Sequence, residues 1–338
     1  MNMWIHFARM LVLLGLSLPV LVQTWGSPQS GGDFSSNPEA KKLPTEAILV
    51  KGAWSSASDS VTPLPEGGRV ANNVYSNAYF GLTYPLSSEW TEKYSGPPPS
   101  DSGHYVLAQI RPSDTFKGTG RGSVMIAAQD LFFTLTPGGN ALELINYDKE
   151  SLSADYTVEQ PPTMVRIGDH SFVRFDYASP VAGLHWHVLA TQIRCHTVQF
   201  VFTSRDTKLL AALIQDMSKT TLPADAGPIS GRGGGDVAEC IKDYASDENV
   251  MARVDPIFTE NRFNPVPVRI IIDKEGKVKH IHFLSAFPEQ AKAISDALAQ
   301  WRFKPYLRDG KPVEVETGIM FGRGPRRTTS SVGAVVSE

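Results

Sequence analysis

The chain has 338 residues, 41% of them hydrophobic and 20% charged, with a formal net charge of -3. That apolar content supplies real cores and excludes wholesale disorder. At roughly 100–200 residues per domain the length predicts two domains. Near-neutral charge excludes a strongly basic nucleic-acid binder, and two cysteines are too few for a disulfide scaffold or a Cys-based zinc site.

The first stretch carries a positive charge at Arg9, followed by an uncharged apolar run from Met10 to Val22. Thr24 and Gly26 then supply small residues ahead of Ser27. This is the layout of a bacterial Sec-type signal peptide over residues 1–26. The run is shorter than the roughly 20 residues a spanning helix needs, and Pro19 interrupts it. Retention as an inner-membrane anchor is the alternative. The mature chain is expected in the periplasm or outside the cell, an oxidising space.

Residues 27–72 are rich in Ser, Gly, Pro and Asn and read as a disordered leader. Residues 73–221 alternate strands with two helices and form an α+β domain. Tyr79–Pro85 opens as a strand and stops at Pro85. Tyr105–Arg111 and Ser123–Ala128 are β-rich. Ala141–Ala154 places Leu142, Ile145 and Leu152 near helical spacing. A hairpin over Thr163–Tyr177 turns at Gly168-Asp169, and a second joins Leu184–Ile193 to Thr197–Thr203 around Arg194-Cys195-His196. Thr207–Thr220 is an amphipathic helix with Asp206 at its N-cap. Residues 222–236, rich in Pro and Gly, form a linker, and residues 323–338 a frayed tail.

The opening Tyr79-Phe80-Gly81-Leu82-Thr83-Tyr84-Pro85 followed by Trp90, with the late hairpins and closing helix over Phe172–Thr220, resembles the PsbP/Mog1-like family. The resemblance implies an αβα sandwich with an antiparallel sheet, used in binding and assembly. It carries no catalytic residues.

Residues 237–322 form the second domain. Val266–Asp273 is a strand, Lys274–Lys277 a turn with Gly276 where positive φ is needed, and Val278–Leu284 the return strand. Pro288 opens a helix whose Ile294, Ala297, Leu298 and Trp301 make one buried stripe. A third strand follows Trp301, Asp309-Gly310 is a turn, and Val313–Phe321 is the fourth strand. A helix over Asp236–Tyr244 precedes them. The stretches Val268–Val278, Ala297–Pro305 and Asp309–Val313 are similar to the TonB C-terminal domain family, over about residues 248–321. The resemblance implies a small ββαββ envelope module that docks a protein partner, such as an outer-membrane receptor or transporter component, by strand addition at a sheet edge. The expected edge is Val313, Val315, Thr317, Ile319 and Phe321. The same edge would serve a homodimer. A TonB-type transducer keeps a membrane helix and a long Pro-rich spacer. Here a folded domain fills the spacer's place, and transduction is the alternative only if the N-terminal segment is retained.

The chain carries no G-x-S-x-G, P-loop, G-x-G-x-x-G or H-E-x-x-H pattern. Gly118–Gly122 is a loop with no helix behind it. His185 and His187 share one strand face and could begin a metal or catalytic site, but zinc takes three or four ligands. Ordinary strand positions are the reading adopted, as they are for His280 and His282 on a solvated face. Cys195, on a turn, and Cys240 either bridge or stand apart. Trp301 and Phe303 are core, and Arg302, Lys304 and Arg308 solvated. No enzyme, metal or cofactor is expected.

Overall fold

Burial of alternating side chains turns most of the predicted strands into two sheets. The computed structural model describes residues 63–87, 89–94, 100, 102–114, 116–117, 121–134, 139–224, 226–228, 238–259 and 264–322, with two short strands, Ile48–Leu49 and Ser56–Ala57. The expected signal peptide, most of the expected leader, Gly118–Gly120, residues 229–236 of the expected linker and the expected tail lie outside them. Among the described residues no helix is long and apolar enough to cross a membrane.

The first lobe begins with a meander of β1 (Arg69–Ala71), β2 (Val74–Asn77) and β3 (Leu82–Pro85). Asn72 and Asn73, both at positive φ, make the first turn, a conformation that asparagine tolerates. There follow β4 (Trp90–Tyr94), β5 (His104–Pro112), β6 (Gly122–Asp130), α1 (Ala141–Glu150), β7 (Thr157–Ile167), β8 (His170–Ser179), β9 (Leu184–Ile193), β10 (His196–Ser204) and α2 (Thr207–Asp216). The strands from β4 to β10 form one antiparallel sheet in the order β4-β5-β6-β10-β9-β8-β7.

Side-chain alternation sorts the two faces of this sheet. Phe172, Leu189, Val198, Phe200 and Phe202 join Leu210, Leu213 and Met217 of the closing helical segment, and Tyr75, Phe80, Leu82 and Tyr84 of the meander, in one core. On the other face Tyr177 stacks on Trp186, and α1 packs there on β7, β8 and β9. Asp206 caps α2 by accepting from Lys208 N at 2.9 Å. Asn140 does the same for α1 through Glu143 N at 3.0 Å.

The second lobe comprises β11 (Glu239–Cys240), β12 (Val250–Ala252), β13 (Val266–Ile272), β14 (Val278–Phe283), α3 (Pro288–Leu298), β15 (Arg302–Phe303), β16 (Tyr306–Arg308), β17 (Lys311–Val313) and β18 (Val315–Phe321). Its main sheet runs β11-β18-β13-β14, with β11 parallel to β18 and the rest antiparallel. Val266, Val268, Ile270, Ile281, Phe283, Val315 and Phe321 bury against Ile294, Leu298, Trp301 and Phe303. Gly276, at φ 78°, is required in the β13–β14 turn, because a Cβ there would lie 2.0 Å from the Phe303 carbonyl oxygen.

The structure departs from expectation at several boundaries. Order begins before residue 73: Leu64 is buried and β1 lies within the supposed leader. The segment read as a helix over 236–244 holds β11 and turns, because Glu239 N and Ile241 N donate to Glu314 O and Glu316 O, and sheet pairing outweighs local helix preference. The final strand breaks at Glu314, so that β17 pairs with β16 and β18 with β13. The start of the linker is packed down: Leu222 is buried and Gly227 bridges to Gln192. The described residues belong to one compact unit with two hydrophobic cores.

Candidate functional site: a buried polar junction between the sheets

Parity in β13 sends Val268 and Ile270 toward α3, so Arg269 must face the other way. The partner of Arg269 in β18 is Gly318, and Glu316 lies one pleat along on the same face. That face is not solvated. Arg269 and Glu316 are buried, and so are Asp130 at the end of β6, Arg194 and Cys195 in the β9–β10 turn, and His196 at the start of β10. The junction therefore joins groups from both lobes.

Arg269 binds Asp130 through Nη2 and donates from Nη1 to Glu316 Oε1 at 2.8 Å. Glu316 also pairs with Arg194 through Oε2 and accepts from the Tyr79 hydroxyl at 2.5 Å. Asp130 accepts from Phe132 N at 2.7 Å. The Arg269 guanidinium lies 4.7 Å from the Phe132 ring centre, and that of Arg194 lies 4.1 Å from the Tyr79 ring centre. Two guanidiniums thus balance two carboxylates, the arrangement that makes burial of charge tolerable. Next to them Cys195 and Cys240 are disulfide-bonded across the lobes. Gly318 completes the fit, since a Cβ there would meet Phe132 Cβ at 3.0 Å and Phe133 Cζ at 2.9 Å.

The electrostatics follow from burial and charge. Burial alone would raise the Glu316 carboxyl, but Arg194 and Arg269 outweigh it and hold its pKa at about 2. Burial raises the Asp130 carboxyl, an effect Arg269 only partly offsets. His196 is held neutral, first by burial and then by the nearby positive charges of Arg269 and Arg194. Neutral His196 has a lone pair for the 3.3 Å contact from Arg269 Nη2 to its Nε2.

The predicted residues fall elsewhere or in new roles. Val315, Thr317, Ile319 and Phe321 lie on β18, inside the sheet between β11 and β13, and Val313 lies on β17. The expected docking edge is covered over its first half: β11 and Lys242 take the outer side there, with Thr317 Oγ1 donating to Lys242 O at 3.0 Å. The outer strands of this sheet are β11 and β14. His280 and His282, expected on a solvated face, are buried, and His282 Nε2 lies 3.0 Å from Glu66 Oε1. Cys195 is buried in its turn. His185 pairs with Glu159 at 2.9 Å, while His187 lies 3.8 Å from Asp176, itself bound by Arg174. Among the described residues no three His, Cys, Asp or Glu side chains come together as a metal set. Arg302 and Lys304 are exposed, and Arg308 pairs with Glu239. Trp301 and Phe303 are core.

Sequence reasoning missed Tyr79, Asp130, Arg194, Arg269 and Glu316 as a group. The available signal was Arg269 within Val-Arg-Ile-Ile-Ile and Glu316 within Val-Glu-Thr, charges in strands that alternation aims away from the α3 core.

No protein-family model matches the chain. No curated protein matches it. Among solved structures it is similar to cyanobacterial PsbP (CyanoP) from Synechocystis sp. PCC 6803, in solution, with 16% identity and a TM-score of 0.32 over 44% of this chain and 91% of that one.

Proposed function

We propose that this chain is a non-enzymatic, exported cell-envelope protein whose second lobe docks a protein partner by strand addition at β14. The carrying observation is the position of β14 at one end of the β11-β18-β13-β14 sheet, where it pairs antiparallel with β13. An outer strand offers backbone N–H and C=O groups along one side, and an extended segment satisfies them. Helix α3 and the second core hold this strand in place. The hairpin–helix–strand order and the Trp301-Arg302-Phe303-Lys304-Pro305 junction support a TonB C-terminal-like reading of this lobe, and the layered first lobe a PsbP/Mog1-like one. The interlobe disulfide supports an oxidising compartment.

A photo-crosslinking side chain at Lys279 on β14, in the full chain expressed in its own envelope, tests this. A discrete adduct at Lys279, absent when the crosslinker stands at Lys292 on the exposed side of α3, is the expected result. Equal labelling at both positions, or none at Lys279, overturns the reading.

A further inference from the structure

Strand β11 lies on the outer side of β18 in parallel register, Glu239 opposite Val315 and Cys240 opposite Glu316. Glu239 N donates to Glu314 O at 2.7 Å and Ile241 N to Glu316 O at 3.0 Å. Lys242 O accepts from Thr317 Oγ1, and the Glu239 carboxylate pairs with Arg308. Each such bond is individually modest, and a two-residue strand offers few of them. The covalent hold on β11 is its disulfide to Cys195. On either side the chain has anchors of its own. Gly227 bridges to Gln192 and Pro228 O accepts from Leu142 N, both on the first lobe. Tyr244 is buried in the second core, with its hydroxyl donating to Lys304 O. The lobes also have direct ties: Arg269 binds Asp130, and Arg194 and Tyr79 bind Glu316.

We infer that the Cys195–Cys240 disulfide is a redox latch on β11, which a dithiol opens by attack at Cys240, freeing Ala238–Lys242 from β18 while the lobes stay joined. The inference does not depend on docking at β14. Access sets the direction of attack. Cys195 is fully buried and Cys240 half-buried, and thiol–disulfide exchange proceeds at the sulfur a thiolate can reach. The reagent's thiolate bonds to Cys240 Sγ, the S–S bond breaks, and Cys195 leaves as a thiolate that takes a proton. The reagent's second thiolate then displaces Cys240, which takes the second proton. The reagent departs as its disulfide, having given two electrons, and the protein gains two thiols. Without the bond, β11 keeps only its few ladder and side-chain contacts. Its departure opens the outer side of β18 along Val315–Thr317. The redox state of one bond thus decides whether that side of the strand is covered or presents unpaired backbone groups.

The test uses the full chain, oxidised and after treatment with dithiothreitol, at neutral pH without denaturant. Hydrogen exchange is read at the Glu239 and Ile241 amides and, as a reference, at Val268 and Ile270 of β13. Reduction is expected to bring the β11 amides to within about tenfold of the rate of an unstructured peptide, while the β13 amides stay at least about a hundredfold slower than that rate. The double variant Cys195→Ser, Cys240→Ser should show the same pattern with no reagent, and reoxidation of the natural chain should restore protection at β11. Protection kept at β11 in the reduced chain, or lost at β11 and β13 together, overturns the latch. A second measurement fixes the direction. Brief exposure to labelled glutathione, an acid quench and peptide mapping should find the mixed disulfide on Cys240. An adduct on Cys195 overturns attack at Cys240.

Discussion

The two faces of the β11-β18-β13-β14 sheet are both buried, but by opposite chemistry. The α3 face is closed by Val268, Ile270, Ile281 and Phe283 against Ile294, Leu298 and Trp301, a non-directional contact that tolerates small changes of shape. The other face is closed by Arg269 and Glu316 against Asp130, Arg194 and Tyr79, where every charge depends on a particular partner. Apolar burial holds a lobe together. A paired charge network favours the docking in which each charge keeps its partner, because breaking a buried pair leaves a charge alone.

Substitutions should expose this difference. Arg269→Met keeps the side-chain bulk but strands Asp130 and takes from Glu316 one of its two guanidiniums, and is expected to cost about 3–5 kcal/mol in urea unfolding. Adding Asp130→Leu should restore part of that loss, with a coupling energy of about 1–3 kcal/mol from the double-mutant cycle. Strict additivity would show that the two side chains do not act as a pair. Reduction of Cys195–Cys240, or Cys240→Ser, should cost about 2–4 kcal/mol. An unchanged urea midpoint after reduction would contradict this. On the α3 face, Ile270→Val should cost only about 0.5–1.5 kcal/mol. At the surface, Lys292→Ala, which removes the exposed pair with Asp296, should shift stability by less than about 0.5 kcal/mol.

Acid should weaken the polar face first. His196 stays neutral when folded, while the unfolded chain takes up a proton near its ordinary value of 6.5. The unfolded state then binds more protons, so stability falls as pH drops below that value. Glu316 adds a second stage. Its carboxyl is held at about 2 against an ordinary 4.5, and its contribution, complete above 4.5, is lost as pH falls through that window. Asp130, whose carboxyl is raised, works in the opposite sense and makes the slope shallower. Urea midpoints at pH about 7.5, 5.5 and 3.5 check both stages. His196→Gln should flatten the first interval and Glu316→Gln the second. A midpoint constant across all three would break the assignment.

Periodicity made the α3 face readable. Ile294, Ala297, Leu298 and Trp301 follow helical spacing, and Val268 and Ile270 follow strand parity, so each residue announces its own side. The polar face could not be read this way, because Asp130 and Arg269 lie 139 residues apart. Only the assembled fold shows that a loop end of the first lobe covers Arg269. The same limit explains why the cover on the first half of the expected edge went unread. Val313–Phe321 reads as a final strand, and nothing local in Glu239–Cys240 signals that it pairs alongside. Cys195 and Cys240 could be matched as a pair by count, while their proximity needed the lobes in contact.

The bond between Cys195 and Cys240 also reroutes mechanical load. Tension applied at the two ends of the described chain passes straight from one sulfur to the other and bypasses the intervening segment, which spans a sequence separation of 45 and includes β10 and α2. At roughly 3.5 Å per extended residue, about 160 Å of slack stays hidden while the bond is intact. A protein stretched between two anchoring points would therefore keep the central strand of its large sheet out of the force path until a reductant arrives.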